Sequence, residues 1–353
     1  MRYSARQVDA VEAEGDLIRL WTENLDASAR ASSKYRWFYR SNPVGAAVAF
    51  LLRAQDEEGG DHVVGCAGLG RRILYQGDQP LDAGLVADFA IDQAHRTALP
   101  ALTLQRALCA YAVSRHPAFY AFPNDAAVGV FSRIGHRVLG QMSRYVLVLR
   151  HGPFIQRRIR SAFLAGAAGR VADTAARLLA QARRRPTEGL SLSWLQDVDD
   201  RFDALWEETR HRFGVIGYRG ADFLRWRFLE REGVESRLAA LTEPATGRLR
   251  AYAAVSLKEE GVALVADFLA ASDAHLAVLM AGLRPELWRM GFHSAVAHFM
   301  GPPSVAAVLT DHGFRFRNLA KFVVLGVGTE CPGDPGRLAD PASWYLTEAD
   351  RDN

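Results

Sequence analysis

Lysine is almost missing from this 353-residue chain, occurring only at Lys34, Lys258 and Lys321, so nearly all of the positive charge is arginine. The balance of 43 Lys+Arg against 40 Asp+Glu leaves a net charge of +3, too little to argue for nucleic acid as a partner. Cysteine is as scarce. Cys66, Cys109 and Cys331 are scattered without a C-x-x-C pairing, which excludes a disulfide framework and a structural zinc site and suits a reducing cytoplasm. No other metal-ligand spacing appears. No apolar run reaches the roughly 18 residues a membrane-spanning helix needs. The opening stretch, MRYSARQVDAVEAEGD, has acidic residues and no apolar segment, so it does not read as a secretory signal. What remains is 49% hydrophobic and 24% charged, the composition of a soluble, cytoplasmic globular protein with material for about two domains.

The chain repeats itself. Val86-Ala87-Asp88-Phe89 recurs as Val265-Ala266-Asp267-Phe268, and Val130–Arg137 aligns with Val308–Arg315. Upstream, Leu20-Trp21 matches Leu205-Trp206, and Arg36-Trp37-Phe38-Tyr39 matches Arg225-Trp226-Arg227-Phe228. Four blocks in one order at similar spacing imply two copies of one fold, over 1–150 and 190–330, with a C-terminal tail over 331–353. Between the copies, 151–189 is rich in Arg and Ala with apolar residues near helical spacing, which predicts a basic amphipathic helical linker. Such a face can lie on an anionic membrane surface, but a connecting helix with solvated arginines is the stronger reading.

Within the first copy the pattern predicts a helix over Val8–Asn24, then strands over Ala46–Gln55 and His62–Gly68 that form a hairpin. Leu81–Ile91 is apolar almost throughout, as a central strand covered on both faces should be. A helix over Ala101–His116, a strand over Phe119–Phe122, a helix over Ala126–Ile134 and a closing strand over Ser143–Leu149 complete an α/β layout. Each copy is thus expected to hold a mixed, mostly antiparallel central sheet flanked by helices.

The run from Leu81 to Leu149 resembles the core of the GNAT superfamily of acyl-CoA-dependent N-acyltransferases. In that family a central strand leads through a loop, Gln/Arg-x-x-Gly-x-Gly/Ala, into a helix whose first amides hold the CoA pyrophosphate. Here the matching loop is His95-Arg96-Thr97-Ala98-Leu99-Pro100-Ala101. Arg96 fits the first position and Ala101 the last, Leu99 replaces the central glycine, and Pro100 suits a first helical turn. His95 would flank the phosphates. Asn124 and Phe131 fall on the family's Asn-x-x-Ala … Tyr-x-x-x-Gly-Phe segment. Asn124 would cap its helix or bond the cofactor, and Phe131 stands where a proton-donating tyrosine often lies. The Arg36–Gly45 stretch resembles a GNAT-like group from bacterial exopolysaccharide gene neighbourhoods. The second copy has Ala270–His275 at the loop, without arginine or glycine, and Leu309 at the tyrosine position, so it is expected to have kept the fold and lost CoA.

The resemblance implies acetyl-CoA or another acyl-CoA as donor and a small amine or amino sugar as acceptor. Asp88 is the candidate general base, and the backbone amides of Phe89, Ala90 and Ile91 are candidates to polarise the thioester carbonyl. Trp37 and Tyr39 are candidate acceptor-side walls, against the plainer reading of aromatic core. The recurrence of Asp88 as Asp267 in the second copy favours a structural carboxylate over a base; whether Asp267 pairs with His298 the sequence leaves open. Two other functions stay in view: a non-catalytic GNAT-like binding protein, favoured by Leu99, Phe131 and the worn second copy, and an aminoacyl or carrier-dependent acyl transferase.

Overall fold

The computed structural model describes residues 1–25, 30–152, 189–257 and 261–352; the linker helix expected over 151–189 falls almost wholly outside them. The first half contains strands β1 (Arg2–Val8), β2 (Val48–Gln55), β3 (Asp61–Gln76), β4 (Gln79–Ile91), β5 (Ala118–Ala121) and β6 (Arg137–Val148). Its helices are α1 (Glu14–Asn24), α2 (Ala31–Lys34), α3 (Ala98–Arg115) and α4 (Asp125–Arg133). The second half begins with β7 (Ser191–Leu195), α5 (Asp200–Thr209), β8 (Val215–Gly217) and α6 (Ala221–Leu224). It continues with β9 (Ser236–Thr242), β10 (Leu249–Leu257), β11 (Val262–Ala270), α7 (Asp273–Arg289), β12 (Ser294–Phe299), α8 (Pro303–Asp311) and β13 (Arg315–Val327). Short α9 (Pro335–Ala339) and β14 (Trp344–Tyr345) close the chain.

The repeated sequence blocks land on equivalent elements. Leu20 and Trp21 are buried on α1 as Leu205 and Trp206 are on α5, each helix turning an i, i+3, i+4 stripe inward. The sheet, however, is single and continuous, in the order β1-β2-β3-β4-β5-β13-β6-β12-β11-β10-β9-β7. The halves have exchanged their last strands: β13 pairs with β5 and β6 pairs with β12, with β6 and β13 side by side at the centre. One hydrophobic core accordingly runs through both halves, from Leu17 and Trp21 to Leu238 and Leu279, while a smaller one lies under α3 around Leu104 and Leu108.

Two expectations are corrected. Val8–Asn24 is not one helix: Val8 ends β1, whose residues lie in register with β2 from Arg2↔Gln55 to Val8↔Ala49, and the helix starts only at Glu14. As an edge strand reading RYSARQV, β1 lacks the apolar alternation that reveals strands, and its charged residues keep the edge from pairing further. The second strand of the hairpin does not end at Gly68 but runs to Gln76 before turning at Gly77.

Each half also contains a π-helical turn, Tyr35–Arg40 after α2 and Arg225–Leu229 after α6. Such turns are rare in any chain. Their tryptophans meet across the halves: the rings of Trp37 and Trp226 stack 4.6 Å apart at 13°. Trp37 Nε1 donates to the Trp226 carbonyl at 2.8 Å, and Trp226 Nε1 donates to the Trp37 carbonyl at 2.9 Å. The contact is self-complementary, as in an isologous dimer interface. Glycines in β3 let the first turn press on the sheet, since a Cβ at Gly68 would overlap the Tyr39 hydroxyl and one at Gly70 the Phe38 ring.

Trp226→Ala should therefore lower stability by about 3–5 kcal/mol, because it opens a cavity and takes the indole donor away from the buried Trp37 carbonyl. Urea unfolding would measure this, and a loss below about 1 kcal/mol would show that the reciprocal contact does not lock the halves.

Candidate active site

β4 and β5 are hydrogen-bonded in parallel over only four residue pairs, Ala83↔Ala118 to Val86↔Ala121. Beyond Val86 the strands part. At this point β4 carries a β-bulge against β3: Gly68 faces Ala87 and Cys66 faces Ala90, so Asp88 and Phe89 together oppose Ala67. A bulge raises the local twist and swings the strand away from its neighbour. Asp88 sits in it with φ of 52°, the one non-glycine residue at positive φ among the described residues. The gap is a cleft of about 510 Å³, lined on one side by Val86–Phe89 and on the other by Ala121–Asn124, Ala127 and Phe131.

The Asp88 carboxylate lies on the floor of this cleft with its side chain nearly buried. Lys34 Nζ approaches Oδ1 at 2.5 Å, and the Tyr39 hydroxyl donates to Oδ2 at 3.1 Å. Lys34 also reaches Asp352 Oδ2 at 3.3 Å, so a residue from the far end of the chain completes the site. Burial pushes the Asp88 carboxyl above the ordinary carboxylate range and Asp352 adds to the rise, against the pull of Lys34. Burial disfavours the Lys34 ammonium, but Asp88 and Asp352 more than offset it and hold the amine protonated. Burial pushes up the Cys66 thiol behind Asp88, which leaves it inert as a nucleophile.

Of the residues singled out in the sequence, Asp88, Phe89, Asn124 and Phe131 are brought together in this cleft. Ala90 and Ile91 continue β4 beyond it. Asn124 caps α4, its side chain accepting from the Ala127 amide at 3.0 Å, while it also lines the cleft. Phe131 meets Phe89 edge-on at 6.3 Å. Trp37 and Tyr39 are buried and outside the cleft lining: one holds Trp226 and the other holds Asp88. Asp267 and His298 do not meet; each has other partners.

The loop over His95–Ala101 leads into α3. Arg96 turns back, its Nε donating to the Ile91 carbonyl at 2.9 Å and its Nη2 to Asn24 Oδ1 at 2.9 Å, so it fastens the loop. His95 is bonded to the Tyr3 hydroxyl at 3.0 Å. Thr97 is the N-cap residue but makes no side-chain cap, so the amides of Ala98 and Leu99 have no partner inside the helix; Pro100 has no N–H to offer. Leu99 is 61% exposed, so the side chain standing in the glycine position projects into solvent. None of His95–Ala101 is among the described residues that line the cleft.

The equivalent place in the second half is closed. β11 and β12 part after Val265↔Ala297, as β4 and β5 do, but the C-terminal segment fills the gap. Leu346 exchanges two backbone hydrogen bonds with Met300 at 3.1 and 2.8 Å, and the Tyr345 hydroxyl donates to the Phe268 carbonyl. Asp267 is fully buried between Arg219, Tyr252 and Thr347. Ser272 caps α7 and Arg212 pairs with Asp273 at 2.6 Å, so that helix end is sealed as well.

No protein-family model matches the chain, and no curated protein does. Solved structures do. A GCN5-related N-acetyltransferase from Anabaena variabilis is 12% identical with a TM-score of 0.62, over 92% of this chain and 73% of its own. A tandem GNAT protein from the clavulanic acid biosynthesis pathway is 15% identical with a TM-score of 0.55, over 94% of this chain and 100% of its own. The N-myristoyltransferase of Saccharomyces cerevisiae, solved with bound myristoyl-CoA, is 10% identical with a TM-score of 0.57, over 98% of this chain and 89% of its own. The fold is that of the GCN5-related N-acetyltransferases, in tandem. Among the described residues no helix is long and apolar enough to cross a membrane.

The segment that closes the second cleft is anchored by Glu348, which lies 2.5 Å from His298 Nδ1 and 2.7 Å from Arg351 Nη1. Burial pushes the Glu348 carboxyl up, but these partners outweigh it and hold it at about 2. Its folded pKa lies below its unfolded value, so its contribution is complete above pH about 4.5 and disappears as pH falls toward 2. Glu348→Gln should cost roughly 3 kcal/mol at pH 7. The gap between wild-type and variant thermal midpoints should narrow steadily between pH 4.5 and 2; a gap that does not change with pH would contradict this anchoring.

Proposed function

We propose that the protein transfers an acyl group from an acyl-CoA to the nitrogen of a small amine, at the cleft of the first half. The observation that carries this reading is the pair of parted-strand clefts, of which the chain's own tail fills one and leaves the other open around Asp88. Free strand edges and bare helix amides suit the amide-rich arm and phosphates of an acyl-CoA.

In this reading the acceptor nitrogen attacks the thioester carbonyl, whose developing charge faces the amides freed by the bulge at Asp88 and Phe89. The C–N bond forms, the C–S bond breaks, and Asp88 takes the proton lost by the amine. A buried carboxyl with a raised pKa is suited to that task. Phe131 has no proton to give the departing thiolate. Lys34, the one lysine among the described residues that line the cleft, gives that proton and regains it from Asp88 beside it. A second reading, a GNAT-like binding protein without turnover, is favoured by Arg96, whose guanidinium is committed to Ile91 and Asn24.

Calorimetric titration with acetyl-CoA and a long-chain acyl-CoA, beside thiol release in the presence of amines, separates these readings. Asp88→Asn should bind acyl-CoA within about threefold of wild type and lose about 10²–10⁴-fold in turnover. Binding without thiol release from any amine would favour the binding protein, and no binding of either donor would sink the proposal.

A further inference from the structure

A second cavity adjoins the first. It measures about 680 Å³ and is built largely by the second half: Arg227, Phe228, Arg231, Leu264 and His298 line it. Arg30 and Arg231 line both cavities, so these two arginines stand between the second cavity and the cleft that holds Asp88 and Lys34. It lies toward the second half, away from the α4 side of the first cleft formed by Asn124, Ala127 and Phe131.

The charges around this junction do not balance. Arg30, Lys34, Arg227, Arg231 and Arg351 face Asp88, Glu235, Glu348 and Asp352. The carboxylates are already engaged: Asp88 and Asp352 by Lys34, Glu348 by Arg351 and His298, and Glu235 by Arg237. Arg227 spends its guanidinium on the carbonyls of Glu348 and Ala349 at 2.7 and 3.1 Å. Among the described residues, neither Arg30 nor Arg231 has a carboxylate within ion-pair distance. Arg231 is held instead by stacking on Trp37, its guanidinium 4.5 Å from the ring centroid, with Arg227 over the same ring at 5.2 Å. The contact with Trp37 restrains the Arg231 guanidinium; burial and then repulsion from Arg30 weigh on its charge, offset only in part by Asp352 and Glu348, so an added anion is favourable there.

Resting on the acyltransferase reading, we propose that the acceptor is an amine bearing an anionic group, a carboxylate or a phosphate, which Arg30 and Arg231 hold while the amine reaches Asp88. The second half, though its own cleft is closed, then supplies the acceptor's recognition site. The Trp37–Trp226 contact sets the distance between anion and base.

Three amines with the same two-carbon spacer test this: ethanolamine, β-alanine and O-phosphoethanolamine. Each is titrated into the acyl-CoA-saturated protein by calorimetry and assayed for thiol release. At least one anionic amine should surpass ethanolamine by about tenfold or more in affinity or kcat/KM. Which of the two does so identifies the source of the anion. Arg30→Gln and Arg231→Gln should each abolish that preference by raising the KM of the amine and leaving the KM of acyl-CoA unchanged; Arg231→Lys should restore part of it. Arg30 is exposed, so its variant folds whatever happens at Arg231. Equal use of all three amines, or an effect of these variants on the acyl-CoA KM alone, would overturn the proposal while the transferase reading stands. Anionic-amine binding that depends on both arginines without any thiol release would support the anion site and count against the transferase.

Discussion

The site depends on a failure of strand pairing. β4 and β5 stay together for four residue pairs and then separate, because the bulge at Asp88 bends β4 away. Main-chain groups that would pair with each other face a gap instead, and unpaired backbone in a protein interior must find a partner. In the second half the chain supplies one itself, by laying Tyr345 and Leu346 along the parted strands. In the first half the gap is left to a ligand. The asymmetry of the molecule reduces to which gap the C-terminal segment occupies.

That segment can reach across because the halves interlock. Exchange of β6 and β13 makes one sheet of two, and the reciprocal stacking of Trp37 and Trp226 ties the opposite layer. A fully buried ionic cluster joins them further: Arg219 binds Asp267 and Asp350, and Asp350 also meets Arg72. A buried cluster of this kind gains little net stability, since desolvation consumes most of the Coulomb energy. Its value here is register. It fixes where residues 345–352 lie, and so delivers Asp352 to Lys34 in the open cleft of the other half.

The parts of the fold readable from the sequence were those written in local pattern. The repeated Val-Ala-Asp-Phe and Leu-Trp blocks mapped onto equivalent strands and helices, and the apolar run ending at Ile91 is the central strand that bears the site. β1 was hidden because an edge strand needs no apolar face. The π-turns were hidden because their aromatic residues read equally well as ordinary core. Asp88, Phe89, Asn124 and Phe131 line one cleft. Arg96, at the first position of the loop, is held by the Ile91 carbonyl and Asn24. Lys34 left one signal, its rarity in a chain that otherwise carries its charge on arginine. Arg30, Arg231 and Asp352 left none.

Sequence alone determined the repetition, the α/β class and the wear of the second copy, because periodicity, turn chemistry and loop composition act over a few residues. It also placed an acid on the central strand in both halves. Only the tertiary structure decided what each acid does. Asp267 is sealed among Arg219, Tyr252 and Thr347, while Asp88 faces an open cleft beside one lysine. That difference is made by residues up to 318 positions apart in the chain, and the forces that select such contacts, desolvation and charge pairing in a shared interior, leave no local trace in sequence.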